Sequence, residues 1–318
     1  MARRFQWPWQ RLRALGIMGL NERNADFILP YNPRRNYPLV DDKRRTKTLA
    51  MAAGIPVPEL YAAIEIVHEI ERLGELLGPY EDFVVKPAHG SGGEGIMIVA
   101  GRHGGRYRKA DGSLAGDEEL GHHIANILSG MYSLGGLPDS ALIEYRVKFD
   151  PIFEHVSFQG VPDIRTLVFR GVPVLAMIRL PTRLSDGKAN LHQGAIGVGI
   201  DLATGCTFSG VWHESPVEHH PDTGGCLAGL QIPYWDDILS LTARCHDLAG
   251  LGFIGVDIVL DESLGPMMLE INARPGLSIQ LANKLGLLPR LRKLEALPRI
   301  PESIPERVKL AKSLALWL

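Results

Sequence analysis

Cysteine is scarce in this chain of 318 residues. Cys206, Cys226 and Cys245 are an odd number, spaced 20 and 19 residues apart. That spacing fits neither a zinc cluster nor a disulfide framework, so the three read as core or loop residues in a reducing compartment. There is also no run of 18 apolar residues, and Phe5-Gln6-Trp7-Pro8-Trp9-Gln10-Arg11 lacks the continuous apolar stretch of a signal peptide. These absences predict a soluble, cytoplasmic protein without a transmembrane segment. Charge of one sign is missing as well. The 34 basic and 36 acidic residues leave a net charge of −2, which argues against a nucleic-acid partner. The composition, 45% apolar and 22% charged with 35 Gly and 22 Pro, excludes collagen, a disulfide miniprotein and a disordered chain. The length predicts two or three packed subdomains.

What is present is unevenly distributed. Residues 1–47 hold eleven Lys or Arg against four acids, a segment of +7 in a chain whose remainder is −9. Such an excess suits an anionic substrate or an acidic partner. The first forty residues read as an arginine-rich helix and a loop punctuated by Pro30, Pro33 and Pro38. A helix follows from Asp41 to Ala53, capped by Asp41 or Asp42 and stopped by Gly54, Pro56 and Pro58. Apolar spacing predicts a second helix over Ala62–Leu77. Phe83–Pro87 and Ile96–Ala100 read as strands around the glycine-dense His89–Gly95. Residues 117–130 and Ile238–Leu251 read as helices. Strand pairs are expected at Ile164–Phe169 with Val172–Leu180, and at Phe253–Asp261 with Met267–Ile271, beside a further strand at Ala141–Tyr145. Residues 182–195 read as a polar loop and Pro305–Leu318 as an amphipathic helix. Helices mixed with antiparallel pairs make the fold class α+β.

Two constellations can carry chemistry. Lys86 ends a strand just before Gly90-Ser91-Gly92-Gly93-Glu94-Gly95. Glycines let backbone amides surround phosphate oxygens while the ammonium neutralises them. A plain flexible hairpin accounts for the loop equally well. The sequence is neither a Walker A loop nor a dinucleotide fingerprint. Near the other end, Glu270 and Asn272 share one strand face by the period of two, and Asp257 on the paired strand reaches the same face. Two carboxylates and an amide oxygen are hard ligands suited to Mg²⁺ bridging nucleotide phosphates. A solvated polar face is the bland alternative. The apolar surroundings of Asp257 and Glu270 favour metal, because a buried carboxylate without a cation is costly. Arg165, Arg179, Asn190 and His192 add cations and donors between the two constellations. The pairs His122-His123 and His219-His220 read as solvated surface.

The order of these pieces resembles the ATP-grasp superfamily, and within it the RimK-type α-L-glutamate ligases. The matching elements are Asp42-Lys43, Gly54-Ile55-Pro56-Val57-Pro58, Val84-Val85-Lys86-Pro87 with its glycine loop, and Leu142-Ile143-Glu144-Tyr145. They continue with Asp163-Ile164-Arg165, Asn190-Leu191-His192-Gln193-Gly194, Gly255-Val256-Asp257 and Glu270-Ile271-Asn272-Ala273-Arg274-Pro275-Gly276. The resemblance spans about residues 40–290. It implies ATP held between two α+β lobes, at 41–143 and 144–283, after a basic extension at 1–40 and before a helical tail at 284–318. Lys43 and Lys86 would contact phosphates under Ser91, Gly92 and Gly93. Glu144, Tyr145, Arg146 and Val147 would form the hinge behind the adenine, and Asp150, or Glu154 in its place, would hold the ribose. Asp257, Glu270 and Asn272 would hold Mg²⁺, two ions by family habit, with Mn²⁺ a substitute.

Arg165, Arg179, Asn190, His192 and Arg274 would serve the transferring phosphoryl or acyl phosphate. The implied reaction is carboxylate plus ATP giving an acyl phosphate that an amine attacks, with an amino acid or an acidic peptide as substrate and a homo-oligomer left open. It needs no protein nucleophile. An ATP-grasp phosphotransferase and a non-catalytic nucleotide-binding partner are the alternatives. Two departures stand out. Only forty-one residues precede Asp42, where these ligases carry a Rossmann-like domain, and Arg274 stands where they commonly have serine. Arg274 reads as a bidentate grip on substrate or as a structural residue. The basic N-terminal segment is expected to pack across the body, and Trp317 to belong to a docking helix at the C-terminus.

Overall fold

A computed structural model describes residues 7–90, 92–133 and 135–314. It holds two antiparallel sheets. The first has six strands in the order Leu60–Ile64, Ala141–Glu144, Phe83–Pro87, Met97–His103, Arg106–Lys109 and Leu114–Ala115. Helix Asp117–Leu128 opens with three acids in its first turn, where the helix dipole favours negative charge. It lays Leu120, Ile124 and Ile127 onto Phe83, Val85, Val99 and Ile143. That packing makes one lobe.

The second sheet has seven strands in the order Ser215–Val217, Thr207–Trp212, Ile196–Ile200, Val172–Leu180, Asp163–Phe169, Phe253–Asp261 and Gly265–Asn272. Both of its faces are covered. Ile164 and Val168 point to the side where helix Trp235–Ala249 lies, while Leu167 and Phe169 point to the other, beneath Phe27, Ile279, Leu291 and Leu314. Alternation along a pleated strand produces this division. Phe27 packs edge-on against Phe169 with ring centroids 5.5 Å apart. Helix Ile304–Leu314 buries Val308, Ala311 and Leu314, so this part of the tail docks on the body. Trp317 lies outside the described residues. Among the described residues no helix is long and apolar enough to cross a membrane.

Several expectations are corrected. Ala62–Leu77 is not one helix. Leu60–Ile64 is a strand paired antiparallel with Ala141–Glu144, Val67–Arg72 is a 3₁₀ turn, and only Leu73–Leu77 is α-helical. A distant partner strand outweighed the local apolar spacing. The strands Ile196–Ile200 and Thr207–Trp212 were not anticipated; Gly197 and Gly199 weaken the β signal of the first. These glycines make room instead. A Cβ on Gly199 would stand 2.4 Å from the Phe208 ring. The N-terminal prolines do not make a simple loop either. Leu20–Tyr31 is a helical run with a π-helical centre at Arg23–Ile28, and it contains Pro30. Residues from Met18 on pack across the body, whereas Trp7 and Trp9–Leu15 remain exposed.

Candidate functional site

The site begins at a helix terminus. Asp42 caps helix Lys43–Ala52 by accepting from the amides of Arg44 and Arg45 at 2.9 and 3.2 Å. The cap aims Lys43 toward the first sheet, where its Nζ donates to the Gly90 carbonyl at 2.5 Å and the Ala88 carbonyl at 3.4 Å. Burial lowers the Lys43 ammonium, and Glu270 opposes that shift from the other lobe. Lys47, one helical turn on, meets Lys86 at the Glu144 carboxylate. Lys47 also donates to the Pro58 carbonyl at 2.6 Å. Burial pulls Lys47 down to about 8 although Glu144 acts against it. Glu144, which burial alone would push upward, is held below the usual range by Lys86 and Lys47. The expected hinge carboxylate is thus the buried counter-ion of two lysines.

The glycine loop follows Lys86. Gly92, Gly93 and Gly95 have φ of +67°, +79° and +72°, the left-handed region that glycine enters without strain. Ser91 lies outside the described residues. The loop leans on the second lobe: the Asn190 side-chain amide donates to the Gly92 carbonyl at 3.5 Å, and Lys188 lies beside Gly93. Gln193 Oε1 is buried there without a hydrogen-bond partner among the described residues. His89 enters the loop with its Nδ1 2.7 Å from Asp139 Oδ1, and the Asp139 carboxylate also accepts the His89 backbone amide.

Asp257, Glu270 and Asn272 are brought together as the strand reading required. Asp257 faces Glu270 across the antiparallel pair, and the Asn272 amide lies 3.4 Å from Asp257 Oδ2. The cation at Asp257 is another matter. Arg165 binds both Asp257 oxygens at 2.5 Å, Arg179 approaches Oδ2 at 2.9 Å, and Arg179 also holds Asp163 bidentately. Arg165 and Arg179, expected as free cations for a phosphoryl group, are therefore spent on neighbouring carboxylates, and they offset the burial of Asp257 without a metal. Burial raises Asp163, with Arg179 acting against it. Asp257 ends below the usual carboxylate range because the two guanidiniums outweigh its burial.

The Glu270 side chain makes no hydrogen bond or ion pair among the described residues, and no group of three His, Cys, Asp or Glu side chains there is arranged for a metal. The donor set still fits a hard cation. Glu270, the Asn272 amide and an edge of Asp257 would supply oxygen ligands, and nucleotide phosphates would complete such a shell.

Behind the loop the chain crosses between lobes at residues 145–150. The Tyr145 hydroxyl and the Lys148 amide donate to Asp261 Oδ2 at 3.0 and 2.9 Å, while the Ser263 and Leu264 amides donate to Oδ1. Val147, Val259 and Met267 form a small apolar patch there. Arg146 points away to Asp82. Asp150 accepts from the Ile152 amide as a helix cap, and Glu154 is exposed. His192 is exposed, and its side chain makes no hydrogen bond among the described residues. Arg274 is exposed and lies over the Tyr37 ring, 5.0 Å from its centroid, which is a surface packing position.

The histidine reading changes in part. His220 is buried, bonds the Pro181 carbonyl at 2.8 Å and accepts from the Asp222 and Thr223 amides. His123 is half-buried and bonds Gly95 O. Cys245 is a core thiol that burial pushes up to about 12. Lys47, His89, Asp139 and Lys188 were missed. Only Lys47 carried a sequence signal, since its i+4 spacing from Lys43 puts both on one helix face.

Cyanophycin synthetase of Synechocystis sp. is 26% identical over 332 aligned residues, covering 96% of this chain and 36% of that protein. The chain spans about a third of the length of the curated relatives it matches. Among solved structures, the biotin carboxylase domain of the Hydrogenobacter thermophilus 2-oxoglutarate carboxylase has a TM-score of 0.47 at 17% identity, covering 90% of this chain and 51% of that one. D-alanine–D-alanine ligase from Bacillus anthracis has a TM-score of 0.44 at 13% identity, covering 90% and 68%. Residues 22–296 match the sugar-transfer associated ATP-grasp family, and with its α+β architecture of two antiparallel sheets the chain belongs to that family.

Proposed function

We propose that this chain is an ATP- and Mg²⁺-dependent carboxylate–amine ligase, related to the RimK-type ligases and acting on an amino acid or an acidic peptide. The observation that carries the reading is the meeting of a helix terminus and the first sheet with the edge strand of the second sheet. Lys43 and Lys86 stand beside a glycine loop on one side, and Glu270, Asp257 and Asn272 stand on the other, near enough that Glu270 stabilises the Lys43 ammonium. The lysines neutralise the triphosphate and the amides of Gly92 and Gly93 wrap it. The buried Val147–Val259–Met267 cluster backs the crossover, whose backbone would face the base. Mg²⁺ on Glu270, Asn272 and Asp257 would supply electrostatic stabilisation of the transferring phosphoryl group. Arg165 and Arg179 act one step back, fixing Asp257 in place. Positioning and charge neutralisation suffice for such chemistry. Residues 23–47 carry seven Lys or Arg against three acids, which suits an acidic acceptor.

The test is substrate-stimulated ADP release across amino acids and acidic peptides, with mass spectrometry of the products. Glu270→Gln lowers that release by about 100-fold while leaving the fold unchanged. A Glu270→Gln protein that turns over like wild type removes the reading. Hydroxylamine trapping separates the ligase from a phosphotransferase, because an acyl phosphate yields a hydroxamate and a phosphorylated alcohol does not.

A further inference from the structure

The body of the protein ends at a fixed elbow before residue 16. Gly16 has φ +68°, and a Cβ there would stand 2.5 Å from Pro289. Gly286 lies so close to the Leu15 carbonyl that a Cβ would approach it to 2.1 Å. Beyond this elbow, helix Pro8–Ala14 leaves the body. Trp9, Leu12 and Leu15 recur every third residue along one side, and they are 60%, 50% and 65% exposed. Trp7, 50% exposed, stacks on Trp9 with ring centroids 4.8 Å apart. Arg13 follows Trp9 by four residues and Arg11 precedes Leu15 by four, so a cation borders each end of the apolar side. Arg3, Arg4, Arg11 and Arg13 are the only charged side chains before Glu22.

We propose that Trp7–Leu15 is a docking surface for an anionic phospholipid bilayer. Indoles favour the boundary between headgroups and acyl chains, where an apolar ring carries a polar edge. Arginines beside them keep their guanidiniums at the phosphate level while the stems cover apolar surface. The four positive charges without an acid complement an anionic leaflet. A second copy of the chain is disfavoured, since pairing two such faces sets arginine against arginine. A helix of seven residues is about 10 Å long, too short to supply the roughly 800 Å² per partner of a stable protein interface. A bilayer needs no such complementary relief. This inference is independent of the ligase reading, because none of these residues lies at the nucleotide site.

The experiment is sedimentation of the full chain with phosphatidylcholine vesicles and with equimolar phosphatidylcholine–phosphatidylglycerol vesicles. The expected result is binding to the anionic vesicles only, reversed at about 1 M salt, where the Debye length is about 3 Å. Trp7→Ser/Trp9→Ser abolishes the binding, and Arg11→Gln/Arg13→Gln weakens it about thirty-fold. Both variants keep the wild-type thermal melt and ADP release. Failure to bind anionic vesicles, equal binding to both compositions, or full binding by the tryptophan variant overturns the proposal. So does a concentration-dependent dimer that disappears in the tryptophan variant, which would assign the face to a second copy.

Discussion

Asp257 sits where a metal ligand and a structural counter-ion predict opposite behaviour in the absence of nucleotide. Its side chain is 6% exposed, those of Arg165 and Arg179 are 13% and 12%, and Asp163 shares Arg179. The four charges cancel. Asp257→Asn keeps the shape and removes one charge, leaving a buried net positive patch. Removing one partner of a buried pair costs about 3–5 kcal/mol, a large share of a total stability of about 5–15 kcal/mol. Urea unfolding of the metal-free, nucleotide-free protein measures it. Arg165→Met carries a comparable cost for the mirror reason. The double variant Asp257→Asn/Arg165→Met loses the pair together, so its cost falls short of the sum by about 2 kcal/mol or more. An Asp257→Asn cost below about 1 kcal/mol, or a strictly additive double variant, refutes the ion-pair account and returns Asp257 to a purely metal-binding role.

The remaining predictions concern the scaffold. Phe27→Ala removes a fully buried ring from the Phe169–Phe253 cluster and costs about 3–5 kcal/mol in urea unfolding. Gly199→Ala forces a Cβ against Phe208 and the Ala282 carbonyl and costs about 1–3 kcal/mol, read as a lowered melting temperature. Lys47, held near 8 in the fold against 10.5 when unfolded, leaves the unfolded chain with more protons between those values. Stability therefore rises with pH across that window, by up to about 1.4 kcal/mol per unit, and Lys47→Met flattens the rise in urea midpoints.

Much of the site was legible where the signal is local. Asp42 caps the helix of Lys43 because the cap and the amides it serves are two and three residues apart. The Phe253–Asn272 hairpin declared itself through β-rich runs around a short turn, and period two placed Glu270 beside Asn272. What escaped depends on partners far along the chain. Glu144 is 97 residues from Lys47, and Asp139 is 50 from His89, so no spacing rule joins them. Leu60–Ile64 is a strand only because Ala141–Glu144 lies alongside. Asp163, Arg165 and Arg179 were recognised as polar and near one another. Their mutual neutralisation was not, because the sequence shows three charges and hides that Asp163 and Arg179 stand directly opposite in the register.

Asp261 collects four donors from both ends of the crossover and from the turn that follows it, whereas Asn190 touches the glycine loop through a single long bond of 3.5 Å. The two jaws of the molecule are thus riveted on one side and merely latched on the other. Parting the jaws at Asn190 gives up one long hydrogen bond, whereas parting them at Asp261 gives up the two from Tyr145 and Lys148.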